Sequence, residues 1–334
     1  MQLDFAQSFA LWRLPRENKI NYLAGTPMTF ESVPAALKMR SCQFVFAPFA
    51  VSQKFPVVAL VGDFQNIVLD EAIQKVSIAN CEFSRENYFS QFEKFVEPLR
   101  AGTLSKIVLA RRERVFAADK LNLLAIFQNA LACYPDAFVY LFHSPLTGTW
   151  LGCSPEILLS SQNFWKTVAL AGTQKVGETW DAKNCAEQKL VADFVREQLA
   201  LAGTPIIAEK TETVFAGTVE HLKTEFNLAP LNFEQAANLV NRLHPTPAVA
   251  GTPRDDAVDF ILKNEAFPRE YYAGFVGEWS ENSANLFVNL RCMKIAGTQL
   301  LLYAGGGLLA SSVTENEWQE TTAKLETIKR LFNC

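Results

Sequence analysis

Histidine is scarce. Three His against 26 Phe in 334 residues argue against a metal centre built on imidazole. The seven Cys, at 42, 81, 133, 153, 185, 292 and 334, are odd in number, scattered and never spaced Cys-x-x-Cys, so they read as reduced thiols of a cytosolic protein, mostly buried as small apolar side chains. Charge is sparse as well. Only 20% of residues are Asp, Glu, Lys or Arg, the net charge is −4, and no block of like charge occurs, which removes the electrostatic footprint of a nucleic-acid or anionic-membrane binder. No run approaches the ~20 apolar residues that span a bilayer, and the opening MQLDFAQSFALWRLPRENK has no continuous apolar stretch of the signal-peptide kind. What the chain has is apolar material: 49% of residues are hydrophobic, enough for a sizeable core and incompatible with disorder. The expectation is a globular, cytoplasmic protein.

Ala-Gly-Thr recurs seven times, starting at 24, 101, 171, 202, 216, 250 and 296, with no fixed period. That excludes a solenoid or propeller and suggests turns. Short apolar runs at Phe44 to Val51 and Val57 to Gly62 predict strands, followed by a helix from Glu86 to Arg100. Further strands are predicted at Lys106 to Arg111, Ala137 to His143, Thr149 to Cys153 and onward to Thr173, in a pair near Ile206 to Val219, and at Tyr272 to Trp279, Ala284 to Ile295 and Gln299 to Tyr303. Helices are predicted at Leu121 to Cys133, Ala182 to Leu201, Phe233 to Arg242, Asp256 to Asn264 and Glu315 to Phe332, with a Pro/Gly-rich loop at His244 to Pro253. Strands in adjacent runs with single helices between them point to α+β, with antiparallel β-sheets packed face to face and flanked by helices. No Pro/Ser-rich linker interrupts the chain, so residues 1–334 are expected to form a single large domain.

Several polar residues sit oddly for a core. Glu187 falls within the apolar arc of its predicted helix, where a carboxylate needs a cation, a metal or neutralisation; a later helix start would instead make it a first-turn Glu. On the last helix Glu317, Glu320 and Lys324 share a narrow arc, either a solvated ladder or, with Glu187, part of a magnesium site. Lys106 begins an apolar strand and either snorkels to water or, buried, becomes a usable base. Glu156 is an exposed turn residue or, in an apolar setting, a proton donor. Arg291 lies in a run too apolar for exposure and calls for a carboxylate. Gly305, Gly306 and Gly307 follow a strand and form either a tight turn or a backbone approach to an anion.

The ordered series SKIVLARR, GCSPEILL, LAGT, EQKLVADFV, VEHLKTEF, LHPTPAVAG, FPREYYAGFVGEWS, FVNLRCMKI, LYAGGGLLASS and ENEWQETTAKLETI resembles the chorismate-utilising enzymes, and within them the isochorismate synthases, from about residue 103 to 330. Residues 1–100 match loosely and look like a shortened N-terminal part. The resemblance implies the chorismate-binding catalytic fold and a Mg2+-dependent exchange in which water adds at C2 of chorismate while the C4 hydroxyl leaves. It implies Lys106 as general base and Glu156 as general acid, Glu187 and Glu320 as metal ligands, and Glu317 lining the metal through water. Arg291, Tyr272, Gly305, Gly306 and Lys324 match positions that hold substrate carboxylates, and Gly172, Thr173, His221 and His244 match pocket-lining positions. Lys106 stands where ammonia-using relatives carry Gln, which points to water as nucleophile and to no glutamine amidotransferase subunit. Ala248 stands where salicylate synthases tend to have Thr, which favours release of isochorismate, for menaquinone or else for a siderophore. No nucleic-acid or membrane partner is expected, and the chain is expected to be a monomer.

Overall fold

Apolar segments become strands wherever both faces can be covered, and the computed structural model, which describes residues 3–69, 78–82, 85–216, 219–281 and 283–332, contains seventeen among those residues. In chain order they are β1 (Ser8–Arg13), β2 (Ile20–Phe30), β3 (Phe44–Ala47), β4 (Val57–Ile67), β5 (Ile78–Glu82), β6 (Lys106–Ala117), β7 (Phe138–Ser144), β8 (Gly148–Ser154) and β9 (Ile157–Ser160). Then come β10 (Lys166–Lys175), β11 (Ile206–Ala216), β12 (Val219–Leu228), β13 (Gly251–Thr252), β14 (Phe275–Ser280), β15 (Ser283–Val288), β16 (Cys292–Ala296) and β17 (Gln299–Leu308). The helices are α1 (Val33–Leu37), α2 (Arg85–Arg100), α3 (Leu123–Cys133), α4 (Ala182–Leu201), α5 (Phe233–Leu243), α6 (Arg254–Asn264) and α7 (Thr314–Lys329). None is long and apolar enough to cross a membrane.

Every described strand pair is antiparallel, and the pairings form one sequence, β11-β12-β10-β9-β15-β14-β3-β4-β2-β1-β7-β8-β16-β17-β6, with β5 and β13 both pairing along β6. This long sheet folds over on itself. Phe46 of β3 meets Phe142 of β7 at 4.5 Å, and Phe138 of β7 stacks on Phe287 of β15 at 4.4 Å, although these strands are far apart in the hydrogen-bonded order. The two halves therefore pack face to face, as expected for α+β with antiparallel sheets. One apolar cluster fills the space between them; a second, with Phe9, Leu11, Leu141 and Leu302, lies under α3 and α7.

Several boundaries differ from the sequence reading for physical reasons. The predicted strand at Ala284 to Ile295 breaks at Asn289–Arg291, where Arg291 has φ +47°. The strand ending at Tyr303 instead runs on through Gly305–Gly307, paired with β6, so the triplet is not a turn. Ala24–Thr26 and Ala171–Thr173 lie inside β2 and β10, so not every Ala-Gly-Thr is a turn; Gly217 and Thr218 fall outside the described residues. Helix α4 starts at a true cap, Asp181 accepting from the Asn184 amide, which puts Glu187 beyond the first turn. The all-thiol reading holds for Cys42, Cys153, Cys185 and Cys292 but not for Cys133, which is disulfide-bonded; Cys334 lies outside the described residues.

Candidate active site

Lys106, the first residue of β6, has a fully buried side chain. The strand-end alternative of a lysine reaching water is therefore excluded. Its Nζ stands 2.9 Å from Glu187 Oε1, an ion pair whose direction does not meet hydrogen-bond geometry. Two buried charges of opposite sign compensate one another, which is why Glu187 is tolerated on the packed face of α4. The room they occupy is made by glycine. A Cβ at Gly307 would sit 2.2 Å from Glu187 Oε1 and 2.9 Å from Lys106 Cε, and one at Gly306 would sit 3.1 Å from Glu317 Oε2.

Glu156, just past β8, is also buried rather than exposed in a turn. Burial pushes its carboxyl up to about 8, against the opposing pull of Lys106 and Lys324, and its Oε1 has no hydrogen-bond partner among the described residues. At neutral pH it is a protonated acid facing a cavity.

That cavity is lined by Glu156, Gly172, Thr173, Glu187, His221, Ala248, Tyr272, Arg291, Gly305, Gly307 and Lys324. Arg291 is buried and carries no ion pair with a carboxylate among the described residues, contrary to the expectation of such a partner. Its Nη1 donates to Thr327 Oγ1 at 2.6 Å and its Nη2 lies 3.1 Å from His221 Nε2. Because a guanidinium can only donate, His221 Nε2 must accept; the ring proton is then on Nδ1, which donates to the Gly172 carbonyl at 3.0 Å. His221 is held neutral, its pKa lowered to about 3 by burial and by Arg291 and Lys324. A buried cation with no anionic partner is costly, so this one is suited to an anionic ligand. Tyr272, stacked on Tyr303 at 5.4 Å, forms one wall.

Glu317, Glu320 and Lys183 line an adjoining lobe that shares Thr173 with the first cavity. Burial and the charge of Glu320 push Glu317 up to about 7, with Lys183 and Ser312 opposing. Burial also works against ionisation of Glu320, but Lys324, 2.7 Å away, together with Lys183 and Arg291, holds it below the ordinary carboxylate range. The solvated-ladder alternative for this face does not hold.

The residues fit a hard divalent cation. Glu187, Glu317 and Glu320 offer oxygen donors, Glu317 Oε2 is buried without a partner, and the Gly306–Gly307 segment leaves space that a Cβ would fill. Among the described residues no three His, Cys, Asp or Glu side chains converge on one point, so such an ion would complete its shell with water and substrate oxygens, as Mg2+ commonly does.

Three matched positions do not line either lobe: Lys106, which meets the first through Glu187, Gly306, which lies against Glu317, and His244, which ends α5, with Nε2 3.1 Å from the Pro48 carbonyl and its ring edge-on to Phe275. The part of His244 is to hold the loop before Ala248. Two residues escaped the sequence reading. Lys183 pairs with Glu317 at 3.0 Å; its i,i+4 spacing to Glu187 was the available clue. Arg269 pairs with Glu265 at 2.7 Å and donates to the carbonyls of Val249 and Val108, tying the Ala248 loop to β6; nothing in a lone Pro-Arg signals that.

A family model described as chorismate binding enzyme matches residues 63–333. The isochorismate synthase MenF of Escherichia coli strain K12 is 32% identical over 254 residues, 72% of this chain and 58% of that protein. The isochorismate synthase DhbC of Bacillus subtilis strain 168 is 32% identical over 274 residues, 73% of this chain and 67% of that protein. The matched segment thus spans about three fifths to two thirds of these relatives' length. In fold, the solved structure of MenF, the menaquinone-specific isochorismate synthase from Escherichia coli, superposes with a TM-score of 0.82 at 22% identity, covering 98% of this chain and 88% of that one.

Proposed function

Because the chain belongs to the family of chorismate-binding enzymes, we propose that it is a Mg2+-dependent isochorismate synthase. Water adds at C2 of chorismate, the ring double bond shifts, and the C4 hydroxyl leaves; the attacking water gives one proton to a base and the leaving hydroxyl takes one from an acid, so atoms and charge balance. The observation that carries this reading is a pair of buried groups, a cavity-lining Glu156 kept protonated up to about pH 8 and a Lys106 that touches the cavity-lining Glu187. Lys106, in its neutral amine form, takes the water proton and Glu156 protonates the departing hydroxyl, each worth roughly 10²- to 10⁴-fold in rate. Arg291, with no anion of its own, holds one substrate carboxylate; Tyr272, Lys324 and the glycine segment shape the same wall. Glu187 and Glu320, with Glu317 beside them, hold the magnesium ion, which supplies charge neutralisation for the ring carboxylate. His221, with Gly172 and Thr173, orients Arg291. Lys106, in place of the Gln of ammonia-using relatives, supports water as nucleophile and a chain that works without an amidotransferase subunit. Residues 1–334 act as one catalytic unit in this reading, and the product serves menaquinone synthesis.

The test is incubation with chorismate and Mg2+ followed by chromatography. Isochorismate as main product is expected; salicylate with pyruvate, or binding without turnover, refutes the assignment. Complementation of a menaquinone auxotroph lacking its own isochorismate synthase tests the pathway.

A further inference from the structure

Lys183 has no part in the chemistry above, yet its placement is specific. It stands near the start of α4 with its side chain 22% exposed, at the opening of the lobe that Glu317 and Glu320 line, and its Nζ is 3.0 Å from Glu317 Oε1. The same oxygen accepts from Ser312 Oγ at 2.8 Å. The other oxygen, Glu317 Oε2, points inward: it lies 3.1 Å from where a Gly306 Cβ would be, and Glu320 Oε1 lies 3.8 Å from that point. Two carboxylates thus converge over the Gly306 floor, with Lys324 on Glu320 and Lys183 on Glu317. Like charges that close repel strongly in a partly buried lobe, so the arrangement needs a cation on its open side.

We propose that Lys183 is the resident counter-cation of the divalent site: it holds Glu317 and Glu320 together when no metal is bound, and its charge opposes the ion that takes over that task. This rests on the magnesium reading given under the proposed function. The two roles have opposite signatures. Loss of a metal ligand weakens metal binding, whereas loss of a positive charge within a few ångströms of a divalent cation strengthens it, because the lobe screens that repulsion poorly. The device also couples metal to substrate: a dianionic substrate supplies the negative charge that offsets Lys183, so metal affinity rises when substrate is present.

The experiment measures Mn2+ binding directly, from the free-ion electron paramagnetic resonance signal, with Mg2+ competition by calorimetry, for wild type, Lys183→Gln, Lys183→Met, Lys183→Arg and Glu320→Gln, with and without chorismate. Lys183→Gln and Lys183→Met are expected to bind Mn2+ alone at least about tenfold more tightly than wild type, and Lys183→Arg to match wild type. Without metal the two neutral variants should melt at lower temperature than wild type, and saturating Mn2+ should close the gap. Neutral variants that bind no more tightly than wild type overturn the inference. Variants that fold only with Mn2+ support it, and variants that fold in neither condition overturn it, since the ion should replace the missing charge. If no protein in the set binds Mn2+ even with chorismate, the metal site itself falls and the inference with it; tight binding by wild type that Glu320→Gln weakens upholds the site independently of Lys183.

Discussion

Replacing Glu156 by Gln should make the protein more stable at neutral pH while disabling it. The carboxyl moves from its ordinary 4.5 to about 8, chiefly through burial, and at ~1.4 kcal/mol per pH unit its fully ionised form costs about 5 kcal/mol of stability. The sign follows from proton counting. Between about 4.5 and about 8 the folded chain keeps a proton that the unfolded chain releases, so this group's contribution is complete at low pH and is lost as pH rises through that window. Gln fills the same volume and does not ionise. Urea unfolding at pH 5.5 and 7.5 should therefore show Glu156→Gln gaining about 3 kcal/mol on wild type between the two, while contributions from other titrating groups cancel in the difference. Turnover should fall by roughly 10²- to 10⁴-fold, and wild-type kcat should decline above about pH 8 as the acid deprotonates. Parallel stability profiles for the two proteins, or near wild-type turnover by Glu156→Gln, would refute the reasoning: the first would mean the carboxyl is not held neutral by burial, the second that the proton comes from elsewhere.

Lys106→Ala should lose roughly 10²- to 10⁴-fold in kcat while chorismate binding by calorimetry persists; near wild-type turnover places the base at another residue. Glu320→Gln should raise the Mg2+ concentration for half-maximal activity by at least about tenfold, since even groups one shell out from a metal matter that much, and an unchanged requirement removes it from the ligand set. Arg291→Met should raise KM for chorismate by about tenfold or more, the worth of a buried charged hydrogen bond, and an unaltered KM excludes it as a carboxylate holder. Gly307→Ala should cost on the order of 10²-fold in kcat, because its Cβ would lie 2.2 Å from Glu187 Oε1; circular dichroism should be unchanged, and full activity would mean that the Lys106–Glu187 geometry is dispensable.

How much of this was legible in the sequence depended on what decided each residue's environment. Helices with strong caps or stripes were readable to within a few residues, α3, α4 and α5 among them, because their determinants are local. Strand β1 was not, since SFALWR is buried on both faces, Phe9 and Leu11 under α3 and α7 and Trp12 between the sheet halves, and a strand covered on both sides shows no alternation. In the sequence the glycine triplet is open between a tight turn and a backbone approach to an anion, because local sequence cannot reveal what a missing Cβ makes room for; at Gly307 that is Glu187, over a hundred residues away. Motif order, by contrast, pointed to Glu156, Glu187, Arg291 and Lys324, which the fold gathers around one cavity, and to Lys106, which pairs with Glu187; His244, matched with them, instead bonds the Pro48 carbonyl.

Three glutamates of the candidate site show why residue type alone underdetermines chemistry. Glu156 meets burial with only distant lysines and stays an acid to about 8. Glu317 is buried to a similar degree but has Lys183 and Ser312 in contact, and it reaches only about 7. Glu320, with Lys324 at 2.7 Å and Arg291 behind it, remains a carboxylate. The acidities of these carboxyls are thus separated not by spacing along the chain but by which cation each one touches. The cations Lys106, Lys183, Arg291 and Lys324 come from β6, α4, the break after β15, and α7. It follows that exchanging a lysine should move the acidity of a glutamate: a neutral residue at 324 would push Glu320 upward and remove it from the metal, so a Lys324→Met protein should resemble Glu320→Gln in its Mg2+ requirement. A Lys324→Met protein with the wild-type requirement would show that the partition is set by burial alone.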